Sequence, residues 1–122
     1  MIIIKMTPTS PLDRKKEALQ WLTESFPSAF FKKGHLIKPL KIGIYEDILD
    51  FYNRLETPPC SKKTLRDSLN YYSSSSAYLR AHKENAPRID LYGNEVDVIT
   101  AAQAKYAFEQ EERRKIKKQS ER

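Results

Sequence analysis

Cysteine is almost missing from this chain: Cys60 is the only one. That excludes an intramolecular disulfide framework and any cysteine-rich zinc site, and it predicts a reducing compartment, the cytoplasm. Glycine is scarce as well. Gly34, Gly43 and Gly93 stand far apart, so no phosphate-cradling glycine loop with its following lysine can be drawn. Long apolar runs are also lacking. The opening stretch from Ile2 to Ile4 falls far short of the roughly 20 residues of a spanning helix, and no signal-peptide core is visible, so a soluble, unexported protein without a membrane partner is expected. His35 and His82 are not at metal-ligand spacing, and Cys60 has no histidine near it in sequence, which leaves little support for a metal site or a Cys60–His82 nucleophile pair. Glu46, Asp47 and Asp50 read as a solvated acidic face. No catalytic residue, metal or cofactor is expected, and the chain reads as a binding protein rather than an enzyme.

What is present is positive charge. Lys and Arg total 22 against 16 Asp and Glu, for a formal charge of +6 and a pI near 9.4. Such a field attracts polyanions, either nucleic acid or an anionic membrane surface. The 122 residues suit one compact domain able to bury its own core, and a monomer is expected.

Apolar spacing predicts a helix from about Pro11 to Phe26, capped by Ser10, with Leu12, Leu19, Leu22 and Phe26 on its core stripe. A loop follows to Gly43, anchored by Phe30, Phe31, Leu36, Ile37 and Leu40. A second helix spans about Ile44 to Leu55 and stops at Thr57, Pro58 and Pro59. Ser61 caps a third, to about Tyr72, whose outer face carries Lys62, Lys63 and Arg66. The serine run 73–76 opens a short helix toward His82. Arg88 to Leu91 and Val96 to Ile99 alternate around Gly93 and Asn94, as a β-hairpin does; that alternation points Arg88 to solvent, where Asp90 or Glu95 could pair with it. Thr100 and Gln103 form a capping box for a last helix, with Ala101, Ala104 and Phe108 facing inward. The expected organisation is a domain over 1–108, beginning with a short arm over 1–10, and a charged helical extension over 109–122.

Two constellations could carry binding chemistry. A helix N-terminus presents unpaired N–H donors to an anion, and the hydroxyls of Ser74, Ser75 and Ser76 add donors there; an ordinary N-cap and polar turn explains the same residues. Lys38, Lys41, Lys62, Arg66 and Arg88 with Tyr78 could neutralise phosphates and stack a base, or they could be scattered solvated charge around a core tyrosine.

At the level of motifs the chain resembles the ProQ/FinO domain family of bacterial RNA chaperones. The resemblance rests on Phe26, Pro27 and Phe30; on Pro39 to Ile44 (PLKIGI); on Ser61 to Leu69 (SKKTLRDSL); on Tyr72 to Leu79 (YSSSSAYL); and on Arg88 to Asn94 (RIDLYGN), covering roughly Ala18 to Lys105. It implies a mainly helical α+β fold of about five helices, with a short β-hairpin before the C-terminal helix. It also implies a cytoplasmic protein that binds small RNAs and messenger 3′ ends, favouring an intrinsic-terminator hairpin with a single-stranded uridine tail. The implied RNA-binding positions are Lys38, Lys41, Lys62, Arg66, Ser74, Ser75, Ser76, Tyr78 and Arg88, together with Lys105. Asn70 and Ala77 depart from the pattern, standing where relatives often carry a basic residue. The competing expectations are a basic protein-interaction module without 3′-end specificity and, more remotely, a nuclease.

Overall fold

A computed structural model describes residues 10–120 of the chain. The expected arm over 1–10 lies, but for Ser10, outside the described residues, as do the last two residues of the extension. The fold is α+β and mainly helical: α1 (Pro11–Ser25), α2 (Ile44–Tyr52), α3 (Lys62–Ser73), α4 (Ser76–Arg80), the strands β1 (Pro87–Ile89) and β2 (Glu95–Val98), and α5 (Ala101–Ser120).

Short polar side chains start most of the helices, for a local reason. At the first turn the backbone N–H groups have no intrahelical acceptor, and a side-chain oxygen one step upstream supplies one. Ser10 accepts from Asp13 N–H, Ser61 from Thr64 N–H and Ser75 from Tyr78 N–H. Thr100 and Gln103 reciprocate at 3.1 and 3.0 Å, the capping box expected for α5. The second helix is shorter than its periodicity suggests and ends at Tyr52, whose hydroxyl donates to the Cys60 carbonyl at 2.6 Å.

Leu22, Phe30, Ile48 and Leu65 are fully enclosed where α1, α2 and α3 meet; truncating any of them to alanine costs about 2–5 kcal/mol. Phe26 packs edge-on against both Trp21 and Phe51 beside this core, and Phe30 does the same against Tyr72. Leu12, expected on the core stripe, is exposed, and Ala18 takes the buried place.

The hairpin has a bulge between Arg88 and Ile89. Its first strand is paired on both edges: β2 lies on one side, and on the other Lys41 N–H donates to the Ile89 carbonyl at 2.8 Å while Ile89 N–H donates to Pro39 at 2.9 Å. The turn is held by Asp90, whose carboxylate accepts from Tyr92 N–H, Asn94 N–H and the Asn94 amide. Gly93 has φ +83°, and a Cβ there would stand 3.1 Å from Ser28 Cβ and 3.2 Å from the Ser28 carbonyl oxygen. Only glycine fits both the conformation and the contact.

Helix α5 packs on α4 through Ala107 and Glu111, not through the expected Ala101 and Phe108, both of which are exposed. Glu111 is buried and takes Arg80 Nη1 at 3.1 Å, and Arg114 Nη1 donates to the Ser74 carbonyl at 3.1 Å. Residues past Phe108 therefore hold the helix down.

Candidate nucleic-acid interface

The PLKIGI segment and the hairpin meet at Leu40. Its N–H donates to the Tyr78 hydroxyl at 3.0 Å, and its carbonyl accepts from Arg88 Nη1 at 2.9 Å. Tyr78 and Arg88 are only 8% exposed. Arg88 thus does not point to solvent, nor does it pair with Asp90 or Glu95. The reason is tertiary: with β1 flanked on both edges, the face that alternation assigns to solvent is covered by Leu40 and α4.

The charge on Arg88 has no counter-ion within 4 Å among the described residues, and its Nε is buried with no hydrogen-bond partner. Burying an ionised group without a partner is expensive, and such groups mark places where an anion completes the site. The field of this guanidinium reaches its neighbours. Burial raises the Tyr78 phenol above its ordinary range, partly offset by the Leu40 N–H and by Arg88. His82, 4.6 Å from the Tyr78 ring, is held below its usual range by burial and then by Arg88.

Lys41 follows Leu40 and is half-exposed, with Nζ 2.8 Å from Asp47 Oδ2. The hydrogen bond and charge of Asp47, with a smaller contribution from Asp90, hold its ammonium above the usual lysine range. Asp47 is a partner that no local spacing announced; it sits one turn into α2, above a chain reversal at Gly43. Lys41, Asp47, Asp90 and Tyr92 line a cavity of about 330 Å³.

The third helix supplies a ridge. Lys62 and Arg66 are exposed, and Asn70 continues the same face one turn on. The Arg66 guanidinium lies 5.3 Å from the centre of the Tyr45 ring, which ties the ridge to the first turn of α2. Neither the cation–π platform at Tyr45 nor its consequence for Arg66 was visible in sequence. Lys38 is exposed just before Pro39, and Lys105 is exposed on the first turns of α5.

The serines divide. Ser75 is spent on the fold, donating to the Tyr72 carbonyl at 2.8 Å and accepting from Tyr78 N–H at 3.2 Å. Ser74 is exposed at the end of α3, and Ser76 is partly exposed as the first residue of α4. Ser74 and Ser75 line clefts other than the one that Lys41 lines. Tyr78 is enclosed, so its ring is not presented for stacking on a base. Among the described residues no group of His, Cys, Asp and Glu is placed to hold a metal ion, and no helix is long and apolar enough to cross a membrane.

The model of the ProQ/FINO family matches residues 12–122. Among curated relatives, the RNA chaperone ProQ of Pseudoalteromonas atlantica is 43% identical over 103 residues, covering 84% of this chain and 46% of the relative. The RNA chaperone ProQ of Idiomarina loihiensis is 38% identical over 105 residues, covering 85% and 49%. The chain spans about half the length of these relatives. The NMR solution structure of a ProQ homolog from Legionella pneumophila is similar at a TM-score of 0.72 and 52% identity, covering 93% of this chain and 90% of that one.

Proposed function

The chain belongs to the ProQ/FinO family, and on that premise we propose that it is an RNA-binding chaperone module, not an enzyme, that recognises structured small RNAs and messenger 3′ ends. The observation that carries the reading is Arg88, a buried cation with an unpartnered Nε and no carboxylate to balance it. A phosphate of an RNA end supplies the missing charge and acceptor.

The division of labour follows from the placement of the residues. Arg88 and Lys41 take phosphates of the single-stranded 3′ tail. Lys62 and Arg66 lie along an exposed ridge and hold a stem, and Lys38 and Lys105 add exposed positive charge. An A-form stem has a deep, narrow major groove and is grasped through phosphates and 2′-hydroxyls, so this grip is insensitive to base sequence. Ser74 and Ser76 offer hydroxyls near the end of α3, whereas Ser75 and Tyr78 act by holding α4 and Leu40 in place. The protein works as a cytoplasmic monomer in this reading.

The test is a fluorescence-anisotropy comparison of a terminator hairpin ending in a uridine tail with the same hairpin lacking the tail. Tighter binding of the tailed RNA, by tenfold or more, is expected. Equal affinity for both would remove the 3′ end from the account and leave a general basic surface.

A further inference from the structure

Two clefts on the α1 and α5 side of the molecule share no lining residue with the cavity at Lys41 and Asp90. One, of about 480 Å³, lies between α1, the 31–37 loop and the end of α3; the other, of about 420 Å³, lies between the end of α3 and α5. They meet at Ser74 and Arg114, both of which line each cleft. Lys16 and Lys32 enter from one side, and Arg113 and Lys117 from the other. No aspartate or glutamate lines either cleft. None of those four cations takes part in an ion pair among the described residues.

The charge has been kept uncompensated here, while elsewhere on α5 it is neutralised. Glu111 is turned into the α4 interface, where it takes Arg80 with Lys115 3.9 Å away, and Glu112 takes Lys115 at 3.4 Å. Aromatic faces accompany the cations: Tyr71 is 41% exposed at the first cleft and Tyr106 is 64% exposed at the second. A run of cations alone would suit a duplex or a lipid surface. Aromatic rings interleaved with cations suit unpaired nucleotides, whose bases stack while their phosphates are neutralised. A duplex keeps its base faces covered.

We infer that these joined clefts are a second RNA track, which takes an unpaired segment of RNA outside the 3′ tail. The inference rests on the RNA-binding reading above and extends it beyond Ser74, which the two share, to four cations that the reading above leaves unused. A bound hairpin continues into this track through its single-stranded flank, or a second RNA occupies it while the hairpin stays at Arg88. In either case the module presents an unpaired strand beside a held structure.

The experiment uses the full chain and two RNAs, a terminator hairpin with its uridine tail and the same hairpin with an unpaired 5′ extension of about twelve nucleotides. The extended RNA is expected to bind the unaltered protein at least fivefold more tightly. Each phosphate neutralised on a single strand adds about 0.7 to the slope of log affinity against log salt, so an extension engaging the four cations is expected to steepen that slope by about 3. A Lys16→Gln, Lys32→Gln, Arg113→Gln and Lys117→Gln variant is expected to erase both differences and to keep the affinity for the short hairpin within twofold. Arg113→Gln with Lys117→Gln, two exposed positions, gives about half the loss and serves if the fourfold variant does not fold. Tyr106→Ala is expected to weaken the extended RNA alone. If the unaltered protein binds both RNAs equally, the inference fails and the proposed function stands; if it binds neither, the proposed function fails and takes the inference with it. Release of phosphatidylserine vesicles by the same variants, with RNA binding unchanged, would overturn the inference in favour of a membrane surface.

Discussion

Arg88 and Leu40 are joined by a 2.9 Å hydrogen bond from a buried guanidinium to a backbone carbonyl. The strand and the PLKIGI segment are thereby fastened at a point that also carries a positive charge awaiting an anion. Replacing Arg88 by alanine is expected to reduce affinity for a tailed terminator hairpin by tenfold or more, about 1.4 kcal/mol at least. The orphaned Leu40 carbonyl costs about 1–3 kcal/mol, but removal of an unbalanced buried charge offsets it, so the melting temperature is expected to move little. Anisotropy and calorimetry on one preparation separate the two effects. Unchanged affinity in a folded variant would exclude Arg88 from the interface.

Lys41 is engaged by Asp47 before any ligand arrives. RNA must draw it away, so Asp47 acts as a competitor. Asp47→Asn is expected to raise affinity for the tailed hairpin about two- to fivefold at low salt, with the gain shrinking as salt screens the site. A fall in affinity would instead make Asp47 a positioning residue for the ammonium.

The depressed pKa of His82 links stability to pH. The native state resists protonation, while the unfolded chain binds a proton near the ordinary value of 6.5. The contribution is therefore fully present above about pH 6.5 and is lost as the pH falls toward and through the native value. The Nδ1 atom lies 2.8 Å from the Tyr78 carbonyl, which can only accept, so the neutral ring carries its proton on Nδ1. Melting temperature is expected to be lower at pH 5 than at pH 7.5, and His82→Gln is expected to narrow that difference. An identical drop in the variant would assign the effect to carboxylates.

Gly93→Ala forces a left-handed backbone on alanine and drives its Cβ toward the Ser28 carbonyl. A loss of about 1–3 kcal/mol is expected in urea denaturation. Gly34→Ala is the internal comparison: its Cβ would meet a side-chain carbon of Ala77 at 3.2 Å, and no positive φ is involved. Its loss is expected to be smaller.

Much of this was legible from sequence because it is local. A serine or threonine before a helical run is a cap whatever else the chain does: the caps at Ser10, Ser61 and Thr100 form, and the serine run supplies one at Ser75. The turn around Gly93 was equally legible from its own residues. What stayed hidden depends on which surfaces meet. Alternation along β1 cannot reveal that a segment some fifty positions earlier covers its second face, and so Arg88 is inside. The apolar positions of α5 suggested Ala101, Ala104 and Phe108 inward, but contact with α4 selects Ala107 and Glu111 and leaves Phe108 outside. For the candidate site, the types of residue were readable, whereas their pairing was not. Asp47 against Lys41 and Tyr45 beneath Arg66 are contacts between neighbouring elements that no spacing encodes.

Helix α5 runs for 20 residues, about 30 Å, and its buried contacts with the rest of the molecule fall in its middle, at Ala107 and Glu111. It is in effect a lever arm. A tilt of about 10° about that middle sweeps the tip, about 15 Å away, through about 3 Å, so a slight repacking against α4 shifts the basic residues near its tip by about the length of one hydrogen bond.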